Sequence, residues 1–316
     1  MPSLIDRLTQ VPNLSHGRCT MTMPLQAIQP DFGAEIFGID LSQPVDDARL
    51  CAIWDAIDRY AVVVFRQQKL SDTQLRDFAQ KFGPLEIGRT AARGGPRRLK
   101  IPQIGDISNL DINNQVRALT DRQRLDSLGN RLWHSDATYM EVPVALGILH
   151  AVKTPPPSPF GGGETEFADM RAAYDNLEGR IKDAIADLVA MHDIFHSRGL
   201  IGFTEFPQGE REQYLPHPQM LVRTHPKTGR KALFLSAHAS HIRDWPVADG
   251  RLLLWDLTVH ATERRFVYSH AWHVGDVVIW DNRYTMHRGR PHDERVARDL
   301  RRATTMEAAS TVQQAA

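Results

Sequence analysis

From about Asn130 onward the chain is a succession of short apolar and β-branched segments, each stopped after a few residues by Gly, Pro, Asn or Asp. Trp133–Tyr139, Ala145–Val152, Thr165–Ala168, Met220–His225, Lys231–Ala237, Phe266–His270, Val277–Asp281 and Arg298–Thr304 all carry this pattern. Strands this short are unstable alone and must bury their apolar faces by stacking one sheet on another. Helical spacing appears before and between them. Asp46–Tyr60 brings Leu50, Ile53, Trp54 and Ile57 to one side, and Val247–His260 reads as an amphipathic helix. Ser71 and Gln74 form a capping box that opens a helix carrying Leu75, Phe78, Ala79 and Phe82, which Gly83-Pro84 closes. A further helical insert is expected from Asp169 to about His192. Ala61–Phe65, reading AVVVF, is a buried strand, and Leu25–Gln29 and Phe32–Asp40 supply two more. The fold class expected is mainly β with α insertions, built on a double-stranded β-helix (jelly-roll) core.

No internal repeat or break in composition divides the chain, so one domain is expected over residues 24–306. Residues 1–23 read as a disordered extension, and the small polar run Glu307–Ala316 as a frayed tail. Gly88–Gly129 is long, polar and punctuated by Gly and Pro, which suggests a lid or disordered insertion. Its basic stretch Arg93–Lys100 reads as a solvated loop.

Lys plus Arg and Asp plus Glu both number 38, so no global field favours nucleic acid or an anionic membrane. No stretch approaches the roughly 18 apolar residues of a membrane span. The N-terminus lacks the apolar core of a signal peptide. Cys19 and Cys51 can form one disulfide at most and make no CxxC, which argues against a zinc ribbon or iron–sulfur cluster and for a reducing, cytoplasmic setting.

The chemistry concentrates in two places. His134-Ser135-Asp136 lies in a segment read as a strand, where residues i and i+2 share a face, so an imidazole and a carboxylate are presented together. With one distant histidine these make the 2-His-1-carboxylate set that holds Fe(II) and leaves coordination positions open. An HxD tripeptide alone does not decide this, because a chain with 14 histidines is expected to contain about one by chance. The second place is the apolar strand Val277–Asp281, followed by His287 and, eleven residues later, Arg298. On a strand Arg298, Leu300 and Arg302 share one face, and Asp299 and Arg301 the other. If the first face points inward, two guanidiniums enter the interior, and buried guanidiniums require anions. An arginine-rich edge strand facing solvent is the alternative. His150, His192, His225, His238 and His241 read as structural or surface histidines.

The order of these motifs resembles the TauD/TfdA family of 2-oxoglutarate-dependent dioxygenases over about Leu25–Thr305: WHSD at Trp133–Asp136, GGGETEF at Gly161–Phe167, WDNRYTMH at Trp280–His287 and LRRATT at Leu300–Thr305. Within the family, FADMRAAYD at Phe167–Asp175 and AHASHI at Ala237–Ile242 are more similar to the aryloxyacetate-cleaving (2,4-D type) members than to the taurine-oxidising ones. The long Pro155–Gly163 loop, the extended N-terminus and the basic Arg93–Lys100 stretch depart from them. The resemblance implies that His134, Asp136 and His287 bind Fe(II). It implies that Arg298 pairs with the distal carboxylate of the cosubstrate 2-oxoglutarate, supported by the Thr165 hydroxyl, with Trp280 packed beside it. Arg302 would hold the acidic group of a small carboxylate substrate, and Asn130 is a further candidate contact. With O2 as oxidant, an aryloxyacetate would be hydroxylated beside its ether oxygen and fall apart to a phenol and glyoxylate. The alternatives are the same chemistry on taurine or another small acid, and a non-redox zinc hydrolase or binding protein. No nucleic-acid or membrane partner is expected, and a homo-oligomer is left open.

Overall fold

The structure is a computed structural model that describes residues 21–315, except 93, 95, 160, 207 and 208. Most of the N-terminal extension, Cys19 included, therefore lies outside the described residues, but Met23 is already buried in a core cluster. Fifteen strands are described: β1 Leu25–Ala27, β2 Ala34–Ile36, β3 Val62–Phe65, β4 Gly105–Ser108, β5 Val144–Lys153, β6 Thr165–Asp169, β7 Val189–His192, β8 His217–Met220, β9 Val222–Thr224, β10 Lys231–Leu233, β11 Ala239–Ile242, β12 Val267–His270, β13 Val277–Asp281, β14 Thr285–Gly289 and β15 Asp299–Met306. Seven of them form one sheet in the order β1-β2-β3-β13-β5-β15-β4, and β12-β6-β14 form a second. Smaller sheets are β11-β7-β8 and β10-β9.

The core follows from the sequence pattern. β3 and β13 are apolar on both faces and pair antiparallel, Val277 to Phe65 through Trp280 to Val62, so both faces must be covered. On one side, Ile53 and Ile57 of helix Asp47–Tyr60 and Leu75 and Phe78 of helix Asp72–Gln80 pack on Val63, Phe65, Val277 and Ile279. On the other, Val62, Val64, Val278 and Trp280 meet Phe167 of β6 and Tyr268 of β12. The capping box of Ser71 and Gln74 is formed as expected, and Asp46 caps its helix by accepting from the backbone N–H of Arg49.

Several expectations are overturned. Trp133–Tyr139 is not a strand: His134 makes one isolated bridge to His287, and a turn follows in which Ala137 has φ +50°. The reason is that the Asn282 side chain replaces the strand partner, accepting from the Asp136 N–H at 2.7 Å and donating to the Asp136 carbonyl at 3.0 Å. Gly88–Gly129 is not one loop, because β4 lies within it and zips onto β15 from Asp299↔Ser108 to Arg302↔Gly105. Arg98 is not solvated: its guanidinium bridges Asp106 and Asp299 and is 4% exposed. The insert after Asp169 breaks into two short helices and then β7. The end of the chain is docked rather than frayed. Thr311 is buried and tied to Met220 and Gln219, and Arg223 holds Glu307 through two hydrogen bonds.

Candidate active site

β14 and the bridge at His134 bring the two halves of the motif together. His134 and His287 exchange backbone hydrogen bonds at 3.0 and 2.7 Å, which sets their rings 4.3 Å apart. His134 Nε2 lies 3.8 Å from Asp136 Oδ1, and His287 Nε2 lies 3.6 Å from Asp136 Oδ2. All three side chains are buried, and one ligating atom from each falls within 4.8 Å of the others. Among the described residues this is the one such group of His, Cys, Asp and Glu.

The electrostatics suit a divalent cation. Burial pushes the pKa of His134 below its usual value and that of His287 down to about 3, so both rings are neutral. His134 Nδ1 sits 2.8 Å from the Leu132 carbonyl; that contact places the proton on Nδ1 and leaves the Nε2 lone pair facing Asp136. Burial alone would raise the Asp136 carboxyl, but the Arg302 guanidinium holds it below the usual carboxylate range. Asp136 Oδ2 has no hydrogen-bond partner although it is buried. A buried carboxylate oxygen aimed at two neutral imidazoles is poorly satisfied without a cation, so this donor set fits a metal ion of the Fe(II) or Zn(II) type.

Two connected cavities meet at this group. The first, of about 150 Å³, is lined by His134, Thr165, Trp280, His287 and Arg298. The second, of about 210 Å³, is lined by His134, Asp136 and Arg302 with Tyr139, Arg198 and His238, and by the apolar Leu99, Ile104, Ile107 and Ile112. Asn130 and Arg302 border both. The inward face expected for β15 is therefore real, and the solvent-facing alternative fails. Asp299 and Arg301, on the other face, are taken up by Arg98 and Asp72.

The two inward arginines differ. Arg302 Nη1 donates to Asp136 Oδ1 at 2.6 Å, so it already has an anion, and that anion is one of the three clustered side chains. Arg298 has no carboxylate within ion-pair distance among the described residues; Nη2 reaches only the Gly163 carbonyl, at 3.3 Å. Burial pushes its pKa down to about 10, opposed only by the more distant Glu294. Gly163 lies at φ +75°, and a Cβ there would crowd Arg298 Nε at 3.2 Å, so glycine is needed both for the turn and for the guanidinium. Thr165 and Trp280 border the same cavity. Trp280, 1% exposed, packs its ring 4.8 Å from that of His287, over Gly147, where any Cβ would collide with the indole.

Three residues were missed or misread in the sequence. Trp272 donates from Nε1 to Thr165 Oγ1 at 2.9 Å, which leaves the hydroxyl's own proton for another acceptor. No spacing rule links Trp272 to Thr165; β12 pairing with β6 brings them together. His238, read as structural or surface, is buried at the wall of the second cavity with its ring 6.3 Å from that of His134. Arg198, in the same wall, donates to Asp126 at 2.6 Å.

The family described as "Taurine catabolism dioxygenase TauD, TfdA family" matches residues 24–304. The chain is 42% identical over 287 residues to the alpha-ketoglutarate-dependent 2,4-dichlorophenoxyacetate dioxygenase of Cupriavidus pinatubonensis, covering 91% of this chain and 99% of that one. It is 35% identical to the (S)-phenoxypropionate/alpha-ketoglutarate-dioxygenase of Sphingobium herbicidovorans, covering 83% and 87%. The crystal structure of AAD-2 in complex with Mn(II) and N-oxalylglycine superposes with a TM-score of 0.88 at 42% identity, covering 92% of this chain and all of that one. A likeness of this depth over nearly the whole length, joined to a buried His–Asp–His group, places the chain in the TauD/TfdA family of 2-oxoglutarate-dependent dioxygenases.

Proposed function

We propose that this enzyme hydroxylates a small aryloxyacetate of the 2,4-D type, using Fe(II) held by His134, Asp136 and His287. The observation that carries the reading is the placement of that group between two cavities, with Arg298 lining the first and Arg302 standing where the two meet. When bound, Fe(II) and 2-oxoglutarate supply the oxidising power: the cosubstrate takes one oxygen atom of O2 and leaves as succinate and CO2, and the second atom goes to the substrate. The protein's residues do the rest. Arg298 binds the distal carboxylate of 2-oxoglutarate, because it is a half-buried cation in need of an anion. Thr165 donates its hydroxyl proton to the same carboxylate, and Trp280 walls the cavity beside it. Arg302 and Asn130, at the junction of the cavities, hold the substrate's carboxylate, and Leu99, Ile104, Ile107 and Ile112 form the apolar sleeve for its ring. Hydroxylation of the carbon between ether oxygen and carboxylate gives a hemiacetal, which collapses to a phenol and glyoxylate. The stoichiometry closes with one 2-oxoglutarate and one O2 consumed for one succinate, one CO2, one phenol and one glyoxylate formed.

Two structural readings belong to the same proposal. The seven-stranded sheet and the β12-β6-β14 sheet serve as the walls of a double-stranded β-helix within one catalytic domain over residues 24–306. The setting is cytoplasmic, where 2-oxoglutarate is supplied. No described helix is long and apolar enough to cross a membrane. The deciding experiment is anaerobic reconstitution with Fe(II) and 2-oxoglutarate, then O2 uptake against aryloxyacetates, taurine and alkyl sulfates. Stoichiometric succinate, phenol and glyoxylate support the reading. Turnover of a sulfonate alone overturns the substrate, and absence of succinate with every acid overturns the reaction.

A further inference from the structure

Helix Val247–Ala261 is apolar on two opposite sides. One side, Gly250, Leu254, Leu257 and Ala261, is buried and packs on the core cluster that contains Ile242 and Phe266. At about 100° per residue, Ala248, Leu252, Trp255 and Val259 fall on the opposite side. All four are exposed, Leu252 to 62%, Trp255 to 68% and Val259 to 53%. Exposed Val247 and Trp245 border them. A contiguous apolar strip of this kind, centred on a tryptophan, marks a surface that another molecule covers.

The spacing of the strip is four, three, four, which is the seam of a two-stranded coiled coil with Leu252 and Val259 at a positions and Ala248 and Trp255 at d positions. The charges beside it identify the occupant. Arg251 takes the g position and Asp256 the following e position, and both are exposed. Neither has an ion-pair partner among the described residues; Arg251 Nε reaches only the Ser240 carbonyl, at 3.1 Å. In a parallel pair of identical helices a g residue faces the e residue five further along the other helix, so Arg251 of each copy meets Asp256 of the other, twice by symmetry. The antiparallel pair would instead set Asp249 against Asp256, both acidic and exposed.

We propose that this face is a homodimer interface, in which helix Val247–Ala261 packs parallel to its own copy along a two-fold axis, with Trp255 at its centre. Two heptads are short, so the contact is of modest affinity and depends on the tryptophan and the paired charges.

Sedimentation equilibrium of the full chain over about 1–200 μM tests it. Wild type should dimerise within that range. Trp255→Glu should be monomeric throughout, with unchanged far-UV circular dichroism and melting temperature, since that side chain leaves the core untouched. Arg251→Asp and Asp256→Arg should each weaken the dimer about tenfold, by setting like charges face to face. The combined Arg251→Asp, Asp256→Arg chain should return to within about threefold of wild type, because the exchange restores both pairs. A monomeric wild type, or a dimer unaffected by Trp255→Glu, overturns the interface. Failure of the double exchange to restore association overturns the parallel pairing.

Discussion

Replacing Arg298 by methionine should make the ligand-free protein more stable and the cosubstrate complex far weaker. Arg298 is half-buried with no carboxylate partner among the described residues, and desolvation pushes its pKa down to about 10. At roughly 1.4 kcal/mol per pKa unit, holding the guanidinium charged in the fold costs on the order of 3 kcal/mol. A base with a depressed pKa carries that cost at every pH below the folded value, so it is present in full at pH 7. Methionine fills similar volume without charge, and the one hydrogen bond it removes, to the Gly163 carbonyl, is long at 3.3 Å. The unfolding free energy of the metal-free protein, from urea titration at pH 7, should therefore rise by up to about 3 kcal/mol. On the Mn(II)-loaded protein, calorimetric binding of N-oxalylglycine, an unreactive stand-in for 2-oxoglutarate, should weaken by about thirty-fold to several thousand-fold, the 2–5 kcal/mol lost with a buried charged partner. Destabilisation of the ligand-free variant by more than about 1 kcal/mol would show that Arg298 is already compensated in the fold. Binding of N-oxalylglycine within about threefold of wild type would remove Arg298 from the cosubstrate site.

Trp272→Phe should weaken N-oxalylglycine binding about three- to tenfold, the worth of one hydrogen bond, and should add nothing on top of Thr165→Val; additive losses would mean that the indole acts elsewhere. Arg302→Gln should raise the substrate KM strongly while succinate formation persists uncoupled from product, and should erase the preference for the free acid over its methyl ester, measured side by side; a wild-type preference would assign recognition to another cation. Asp136→Ala should abolish Fe(II) binding, assayed by metal content after gel filtration, and should destabilise the protein by about 3–5 kcal/mol, because Arg302 loses its anion; combining it with Arg302→Met should restore the stability but not the metal. Burial holds the His192 pKa at about 3, so the unfolded chain takes up a proton below about pH 6.5 that the folded one refuses until about pH 3, and stability falls with pH across that window by up to about 1.4 kcal/mol per unit. His192→Gln should flatten that part of the urea-midpoint profile, and an unchanged slope would assign it to other groups.

The local alphabet of the fold could be read directly. AVVVF at Ala61–Phe65, the Ser71–Gln74 capping box and the apolar run Val277–Asp281 are local signals, set by side-chain period and by backbone groups within a few residues. The inward face of β15 was legible for the same reason, since period two alone sorts Arg298 and Arg302 from Asp299 and Arg301. The HxD segment shows the limit of that logic. Its imidazole and carboxylate do come together with His287, but the strand expected to present them does not exist; the Asn282 amide, 146 residues away, pins the turn that aims Asp136.

What the one-dimensional order could not decide is which charges find each other. Nothing in the spacing of Arg93–Lys100 says that Arg98 meets Asp106 and Asp299, or that Arg302 rather than Arg298 takes Asp136. Nor does it say that an indole two residues past β12 orients a hydroxyl on β6. Residue type and period are properties of short segments, so they survive without the fold. Burial and ion pairing depend on approaches of a few ångströms between distant parts of the chain, and only the pairing of β4, β6, β12, β14 and β15 creates those approaches.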